Sequence, residues 1–227
     1  MNNAEVCIVV EGQTEQTFVR DVLAPEMAAK GVFLHAALIG KPGHKGGNIR
    51  FDRARTDIVN FLKQRSDTFV STMFDYFRID SNWPGRSDIV TTLSAAEKAG
   101  LLERKTLEAI EACVPECDVK TRFIPYFGMH EFEALLFSNS AVLAAALNIE
   151  VSLIKTILAE CGEPEEINEH PENAPSKRIL LLNQVYRKVA MGKSIAKTIG
   201  ITTMRDQCPH FNAWIATLEK LRIANLT

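Results

Sequence analysis

The alternation of apolar, strand-like runs with helix-like segments in the first 130 residues constrains the fold of this chain more than any other feature. Residues 5–10, 31–40, 67–77 and 121–128 are rich in β-branched and aromatic side chains, as buried strands are. Helix-like segments separate them, at residues 15–23, 49–64 and 87–112. Strands joined by helical crossovers predict an α/β fold with a mostly parallel central sheet that is flanked by helices.

Local signals set the expected boundaries of these helices. Thr14 is a candidate N-cap, Pro25 is expected to end or restart the first helix, and Gly100 is expected to interrupt the third. After residue 130 the pattern is helical with short turns. It predicts an α/β core over residues 1–137 and a helical C-terminal region over residues 138–227 that packs on the core. One continuous domain is also compatible with this pattern.

Composition excludes several classes of protein. The chain has 227 residues, 46% of them apolar, and a formal net charge of -2, so any contact with nucleic acid must use a local basic patch. It has no basic leader and no apolar run near the roughly 18 residues of a membrane span, which favours a cytoplasmic protein with no membrane contact. Its five scattered cysteines predict reduced thiols. A zinc site from Cys113, Cys117, Cys208 and His210 is disfavoured because tight ligand pairs are missing.

Acidic side chains stand where the first and third strands end. Glu11 directly follows an apolar run, Glu15 lies in the first turn of the next helix, and Asp75 closes the third strand. The carboxyl ends of parallel strands meet at one edge of a sheet, so Glu11 and Asp75 are expected to converge. Hard cations such as Mg²⁺ or Mn²⁺ prefer carboxylate oxygens. The alternative is that Glu15 is only a helix-start acid and Glu11 a hydrogen-bonded strand-end residue.

The segment HEFEALLF, residues 130–137, adds a third acidic contribution. The apolar stripe of the expected helix consists of Phe132, Leu135 and Leu136. Glu131 and Glu133 are therefore predicted to lie off the core stripe and to face the same cleft edge. His130 is a candidate acid or phosphate contact, or alternatively a capping or partly buried histidine.

Two groups of basic residues are candidates for binding nucleic acid. Lys41, Lys45 and Arg50 follow the second strand in a glycine-rich segment that is not a Walker A loop, and Lys177 and Arg178 lie in the motif APSKR. Exposed backbone with interleaved cations suits contact with phosphates. A solvated loop and an outward helix face are the alternative interpretations.

The motifs carry a resemblance to known proteins. VVEGQTE followed by MFDYF resembles the TOPRIM fold, whose motifs are a strand-end Glu and a strand-end Asp-x-Asp that bind divalent metal. HEFEALLF and APSKR resemble one bacterial TOPRIM-like family of unassigned function, which is similar in its core to the OLD-type nucleases and the RloB-like proteins. Those proteins are often encoded beside ABC-type ATPases in anti-phage loci. The resemblance covers roughly residues 5 to 190.

This resemblance implies roles for three acids. Glu11 matches the TOPRIM glutamate, Glu15 the further acid of OLD-type enzymes, and Asp75 the first Asp of Asp-x-Asp.

The second Asp position of the resemblance holds Phe77. This departure counts against a site with two metals unless Asp80 or the glutamates of HEFE supply the missing ligand. In the RloB-like proteins a Phe-Glu pair begins a similar apolar helix, which ranks Glu133 above Glu131.

The function that these features imply is a Mg²⁺- or Mn²⁺-dependent nuclease, a hydrolase that acts on DNA or RNA, tRNA included. An ABC-type ATPase partner, an anti-phage role and a homodimer accompany this interpretation. The expected catalytic residues are Glu11, Asp75, Glu133 and His130. The expected metal ligands are Glu11, Glu15, Asp75, Glu131 and Glu133. The alternative is a non-catalytic TOPRIM-like subunit that binds nucleic acid or has a regulatory role. A topoisomerase or primase component is least favoured, because the sequence offers no obvious partner domain for strand passage and no catalytic tyrosine that can be placed.

Overall fold

A computed structural model describes residues 3–40, 49–167 and 173–224 of the chain. The strands are β1 (Ala4–Val10), β2 (Val32–Leu38), β3 (Thr68–Asp75), β4 (Phe123–Ile124) and β5 (Phe127–Gly128). The helices are α1 (Gln13–Phe18), α2 (Ala24–Ala28), α3 (Phe51–Gln64), α4 (Ala95–Cys113), α5 (Val119–Arg122), α6 (Ser140–Leu147), α7 (Val151–Cys161), α8 (Pro175–Leu182), α9 (Lys188–Ile199), α10 (Ile201–Gln207) and α11 (Pro209–Ala224).

The strands form a parallel sheet in the order β2-β1-β3-β4, and β5 continues the pairing beside the end of β3. This confirms the predicted α/β class with a mostly parallel sheet flanked by helices and with helices toward the C-terminus. In the register of β1 and β3, Val10 lies opposite Met73. The carboxyl ends of these two strands are therefore neighbours, and the acids that follow them are delivered to one edge.

Apolar side chains pack on both faces of the sheet. On one face, β1 and β2 share a core with α1 and the C-terminal helices, in which Phe18, Leu136 and Phe211 are fully buried or nearly so. On the other face, Ile58 of α3 and Leu102 of α4 pack in a second core. Burial of each such side chain contributes about 1.5–3 kcal/mol. The first core contains residues from both sides of the predicted boundary at residue 137, so the helical C-terminal region packs directly on the α/β core.

The first helical stretch differs from its predicted boundaries. Gly12, not Thr14, is the N-cap, and α1 begins at Gln13 without a side-chain cap. Pro25 restarts the helix, which is one of the two predicted outcomes: a π-helical turn at Val19–Leu23 precedes it, and Pro25 lies in the first turn of α2. A proline lacks an N–H and clashes with the preceding turn of a regular α-helix, and the wider π turn accommodates it.

The third predicted helix begins later than residue 87 and is not interrupted. Ser94 caps α4 through a capping box with Glu97, which fixes the start at Ala95. Gly100 lies inside α4 with nothing within 4 Å of the position of a Cβ atom, so it needs no break in the helix. The fourth predicted strand is shorter than expected: β4 and β5 flank Pro125, which has no N–H to donate to the sheet.

All five cysteines are free thiols, as predicted. No helix in the described part of the chain combines the length and the apolar character that a membrane crossing needs.

Candidate active site at the carboxyl edge of the sheet

Glu11 and Asp75 lie side by side where β1 and β3 end. The backbone N–H of Asp75 donates to Glu11 Oε2 at 3.3 Å, and the N–H of Phe77 donates to Asp75 Oδ1 at 2.8 Å. Arg78 Nε is 3.6 Å from Glu11 Oε1. Asp75 is only 8% exposed. The parallel register therefore joins two acids that are 64 residues apart in the chain.

Glu15 comes to the same edge from the first turn of α1. A Cβ atom at position 12 would lie 3.0 Å from Glu15 Oε2, so Gly12 leaves room for this carboxylate close to the backbone. Glu15 interacts electrostatically with both Glu11 and Asp75. These three acids are named here the strand-end carboxylates.

Glu131 and Glu133 lie beside the strand-end carboxylates, but their element is not the predicted amphipathic α-helix. Phe132–Ser138 is a 3₁₀ helix, and every residue in it is buried, Glu133 included at 1% exposure. The prediction that Glu133 lies off the core is therefore wrong. The stripe was drawn with the α-helical period, whereas the C-terminal helices cover this segment and leave it no exposed face.

Protein donors occupy both of these glutamates. Lys188 Nζ is 2.9 Å from Glu131 Oε1 and 3.5 Å from Glu133 Oε2. The N–H of Ser176 donates to Glu131 Oε2 at 3.0 Å, and Tyr186 Oη donates to Glu133 Oε1 at 3.4 Å. Glu131, Glu133, Lys188, Ser176 and Tyr186 are named here the lysine clamp.

Burial and mutual repulsion raise the pKa of most of these acids. The pKa of Glu11 rises to about 8 because of burial, then of the charges of Glu15 and Asp75. Burial raises the pKa of Asp75 to about 7, and Glu131 and Glu15 add to the effect. Burial also raises the pKa of Glu15. Burial raises the pKa of Glu133 to about 7, although the charge of Lys188 acts to lower it. Several of these carboxylates therefore hold protons near neutral pH.

Glu131 behaves in the opposite way. Burial alone would raise its pKa, but hydrogen bonds from Ser176 and the charge of Lys188 outweigh burial, and the pKa is lowered. For Lys188, burial is outweighed by the charges of Glu133 and Glu131, and the pKa is raised. The negative charge of the clamp is thus compensated by a cation in direct contact, whereas the charge of the strand-end carboxylates is compensated poorly.

The strand-end carboxylates fit a hard divalent cation in the chemistry of their oxygens. Within residues 3–40, 49–167 and 173–224, no three His, Cys, Asp or Glu side chains are arranged to hold a metal ion as they stand. Binding of a metal ion by these acids would therefore require side-chain movement. Glu11, Glu15 and Asp75 supply carboxylate oxygens only, and a cation would displace the protons that Glu11 and Asp75 retain near pH 7.

His130 lines a small cavity next to these acids. The cavity has a volume of about 30 Å³, and Glu15, Asp75 and Glu131 also line it. This volume holds about one or two water molecules. The ring of His130 stacks on Phe77, and both ring nitrogens are buried with no hydrogen-bond partner in the described part of the chain. Burial lowers the pKa of His130 to about 4, so the ring is neutral at pH 7.

The first group of candidate basic residues is described only in part. Lys41 and Lys45 lie outside the described residues. Arg50 is exposed and lies 3.9 Å from Asp52. The pairing of Ile49 with Ile79 places Arg50 beside the segment that follows β3.

The second group divides into one exposed and one partly buried cation. Lys177 is exposed and follows Ser176, whose N–H contacts the clamp. The side chain of Arg178 is only 18% exposed, donates to the carbonyl of Asn173 at 3.1 Å and lies 3.8 Å from Glu160. Arg178 therefore holds local structure, and Lys177 is better placed to meet a substrate.

Sequence reasoning missed the groups that contact the acids. Arg78 had a usable signal, since it follows Asp75 by three residues and a cation close to a strand-end acid is a natural partner. Lys188 lies in the sequence near Arg187 and Lys193, and a group of cations of this kind is equally compatible with an outward helix face. Ser176 and Tyr186 gave no local signal, because their contacts with Glu131 and Glu133 span 45 and 53 residues.

Comparison with known proteins gives one family. A family model described as a domain of unknown function (DUF4276) matches residues 10–219. No curated protein matches the chain. No solved structure matches it either.

Proposed function

The chain belongs to the DUF4276 family, and from the geometry of its carboxylates we propose that it is a Mg²⁺- or Mn²⁺-dependent nuclease that hydrolyses phosphodiester bonds. The observation that carries the proposal is the meeting of three poorly compensated carboxylates at one sheet edge, the buried Asp75 and the partly buried Glu11 and Glu15. A carboxylate that is buried without a partner destabilises a fold, and such groups concentrate at functional sites.

The strand-end carboxylates are the residues that would hold the cation. When bound, a divalent cation supplies Lewis-acid stabilisation of the negative charge on a phosphate and a more acidic water. The neutral ring of His130 offers its unpartnered nitrogens to a water molecule in the adjacent cavity and orients it. Glu131 and Glu133 support the edge through the lysine clamp instead of facing the solvent.

Basic groups next to the acids support a nucleic acid as the substrate. Arg78 contacts Glu11 and keeps 46% of its side chain exposed, so its guanidinium can reach a phosphate. Arg50 and Lys177 are exposed on the segments that adjoin the two halves of the site. Contacts of this kind bind the sugar-phosphate backbone without reading the bases. An ABC-type ATPase partner and an anti-phage role belong to the same proposal and rest on the motif resemblance.

Cleavage by matched variants tests the proposal. The purified chain is incubated with single-stranded DNA, duplex DNA and tRNA in Mn²⁺ or EDTA, with and without a cognate ATPase. Glu11→Gln and Asp75→Asn are compared with Glu5→Gln and Asp67→Asn, which change acids at the opposite ends of the same two strands. We expect the chain and both control variants to cut at least one substrate in Mn²⁺, and EDTA or either site variant to abolish cutting.

The second candidate is a regulatory subunit that binds nucleic acid without cleaving it. It is favoured by Phe77, which places a ring where the resemblance has a second aspartate and contributes only its backbone N–H to Asp75. Binding of a substrate without cleavage in every condition would support this candidate and refute the nuclease.

A further inference from the structure

We propose that the ammonium group of Lys188 takes the place of a second metal ion, so that the site works with one divalent cation. This inference rests on the proposed function and specifies which groups balance the negative charge of the carboxylates. Two-metal phosphodiesterase sites place two cations about 4 Å apart on a shared set of carboxylates. In this protein Glu131 and Glu133 form the second half of the carboxylate set, and they already have a cation. The ammonium group of Lys188 lies 2.9 Å from Glu131 and 3.5 Å from Glu133.

The oxygens of the clamp are already occupied. Lys188 faces one oxygen of Glu131 and one of Glu133, the N–H of Ser176 faces the second oxygen of Glu131, and Tyr186 Oη faces the second oxygen of Glu133. A metal ion at this half would have to compete with a donor at every oxygen that it used, and it would meet the positive charge of Lys188. Glu133 is also buried, so breaking its pairs would leave an uncompensated charge away from water.

Phe77 agrees with a single metal. At the position where a further aspartate would extend the ligand set, its ring packs against Tyr76 at 5.0 Å and His130 at 6.1 Å between ring centroids. It offers no side-chain oxygen. The missing ligand is therefore not replaced by Glu131 or Glu133, and the loss of a second cation is compensated by the lysine.

Helix packing fixes Lys188 in this place. Lys188 is the first residue of α9, and one turn later Gly192 faces the clamp. A Cβ atom at position 192 would lie 2.9 Å from Tyr186 Oη, closer than Cβ atoms approach other atoms, and 3.2 Å from Phe132 Cε1, which is a tight contact. Glycine thus lets α9 approach the 3₁₀ helix closely enough for Lys188 to reach both glutamates.

Calorimetric titration with Mn²⁺ tests this inference on the full chain without any measurement of activity. We expect the wild type to bind one Mn²⁺ per chain. Lys188→Met removes the fixed cation and frees one oxygen of Glu131 and one of Glu133, and we expect it to bind two. Lys188→Arg retains the charge and should bind one. Lys193→Met is the matched control, because Lys193 lies on the same helix, is 41% exposed against 42% for Lys188, and contacts Asp21 instead of the clamp. It should also bind one.

The outcomes separate this inference from the proposed function. Two Mn²⁺ per wild-type chain, or one Mn²⁺ in both wild type and Lys188→Met, would overturn the role of Lys188 and leave the nuclease proposal standing. No Mn²⁺ binding by the wild type or any variant would overturn both. If Lys188→Met does not fold, the stoichiometry of the wild type still decides between one cation and two.

Discussion

Replacing Glu11 by glutamine should stabilise the metal-free protein at neutral pH. Glutamine keeps the size of the side chain and an oxygen that accepts the N–H of Asp75, but it removes the charge. The pKa of Glu11 is raised from 4.5 to about 8, with burial as the main cause and Glu15 and Asp75 as further causes. The folded protein therefore prefers the protonated, neutral acid at pH values where the unfolded chain has lost the proton.

The size of the effect follows from proton linkage. Below the unfolded pKa of 4.5 both states carry the proton, and Glu11 has no pH-dependent effect on stability. As the pH rises from 4.5 toward 8, the unfolded state releases the proton and the folded state retains it, so the wild type loses stability. Each pH unit in this window costs about 1.4 kcal/mol, which gives about 3 kcal/mol at pH 7. The glutamine variant avoids this loss.

Urea unfolding in EDTA at pH 4, 5.5 and 7 measures the prediction, with Glu5→Gln as the control in the same strand. The variant should gain about 3 kcal/mol over the wild type at pH 7 and almost nothing at pH 4. Mn²⁺ at 100 times its dissociation constant should then stabilise the wild type by about 2.7 kcal/mol and leave Glu11→Gln unchanged. Equal stability of the two proteins in EDTA at pH 7 would refute the idea that this edge stores uncompensated charge.

Three further changes test the contacts around the sheet. Arg122→Met should lower the free energy of unfolding by about 3 kcal/mol or more in urea, because it strips the donor from several buried backbone carbonyls. His210→Gln should cost most stability at low pH and progressively less as the pH rises through the folded pKa, which the pair with Glu103 raises despite burial. Tyr186→Phe should lower thermal stability by about 1 kcal/mol, because Glu133 loses a buried donor.

The hydrophobic periodicity of the sequence and the acids at the ends of two strands were enough to predict the class of fold and the convergence of Glu11 and Asp75. The run that ends at Val10 and the run that ends at Asp75 are both buried strands, and a parallel sheet leaves their carboxyl ends at one edge whatever the rest of the chain does. The convergence of Glu11 and Asp75 depends only on this rule and on β1 and β3 being neighbours. The positions of the acids at the strand ends are local in the sequence, whereas the strand order comes from the structure.

The environment of Glu133 could not be predicted in the same way. Its burial depends on α8 and α9 packing over a 3₁₀ helix, and these elements begin more than 40 residues later in the chain. The amphipathic interpretation assumed a solvent-facing side for the segment, which tertiary packing removed. The contact between Lys188 and Glu131 spans 57 residues and depends on Gly192 bringing two helices together, so no local pattern marks it.

Arg122 and the strand-end carboxylates differ in how well the fold compensates their charge. Arg122 is 8% exposed, and its guanidinium donates to the carbonyls of Leu62, Arg65, Thr68 and Cys117. A buried charge with this many partners is satisfied by the fold itself and ties α3, β3 and α5 together.

The strand-end carboxylates have the opposite character. The backbone gives Asp75 one N–H from Phe77, and Glu11 receives one from Asp75 and a partial contact with Arg78, while their charges repel one another. Folding alone gives no reason to keep acids whose pKa values are raised toward neutrality, since amides would fit the same hydrogen bonds at lower cost. A cation that binds only the folded form would compensate the negative charge of these carboxylates and would stabilise the folded protein. The contrast with Arg122 therefore supports the proposal that this edge is arranged for a cation, and the proposed role of Lys188 is to limit how much positive charge that cation must supply.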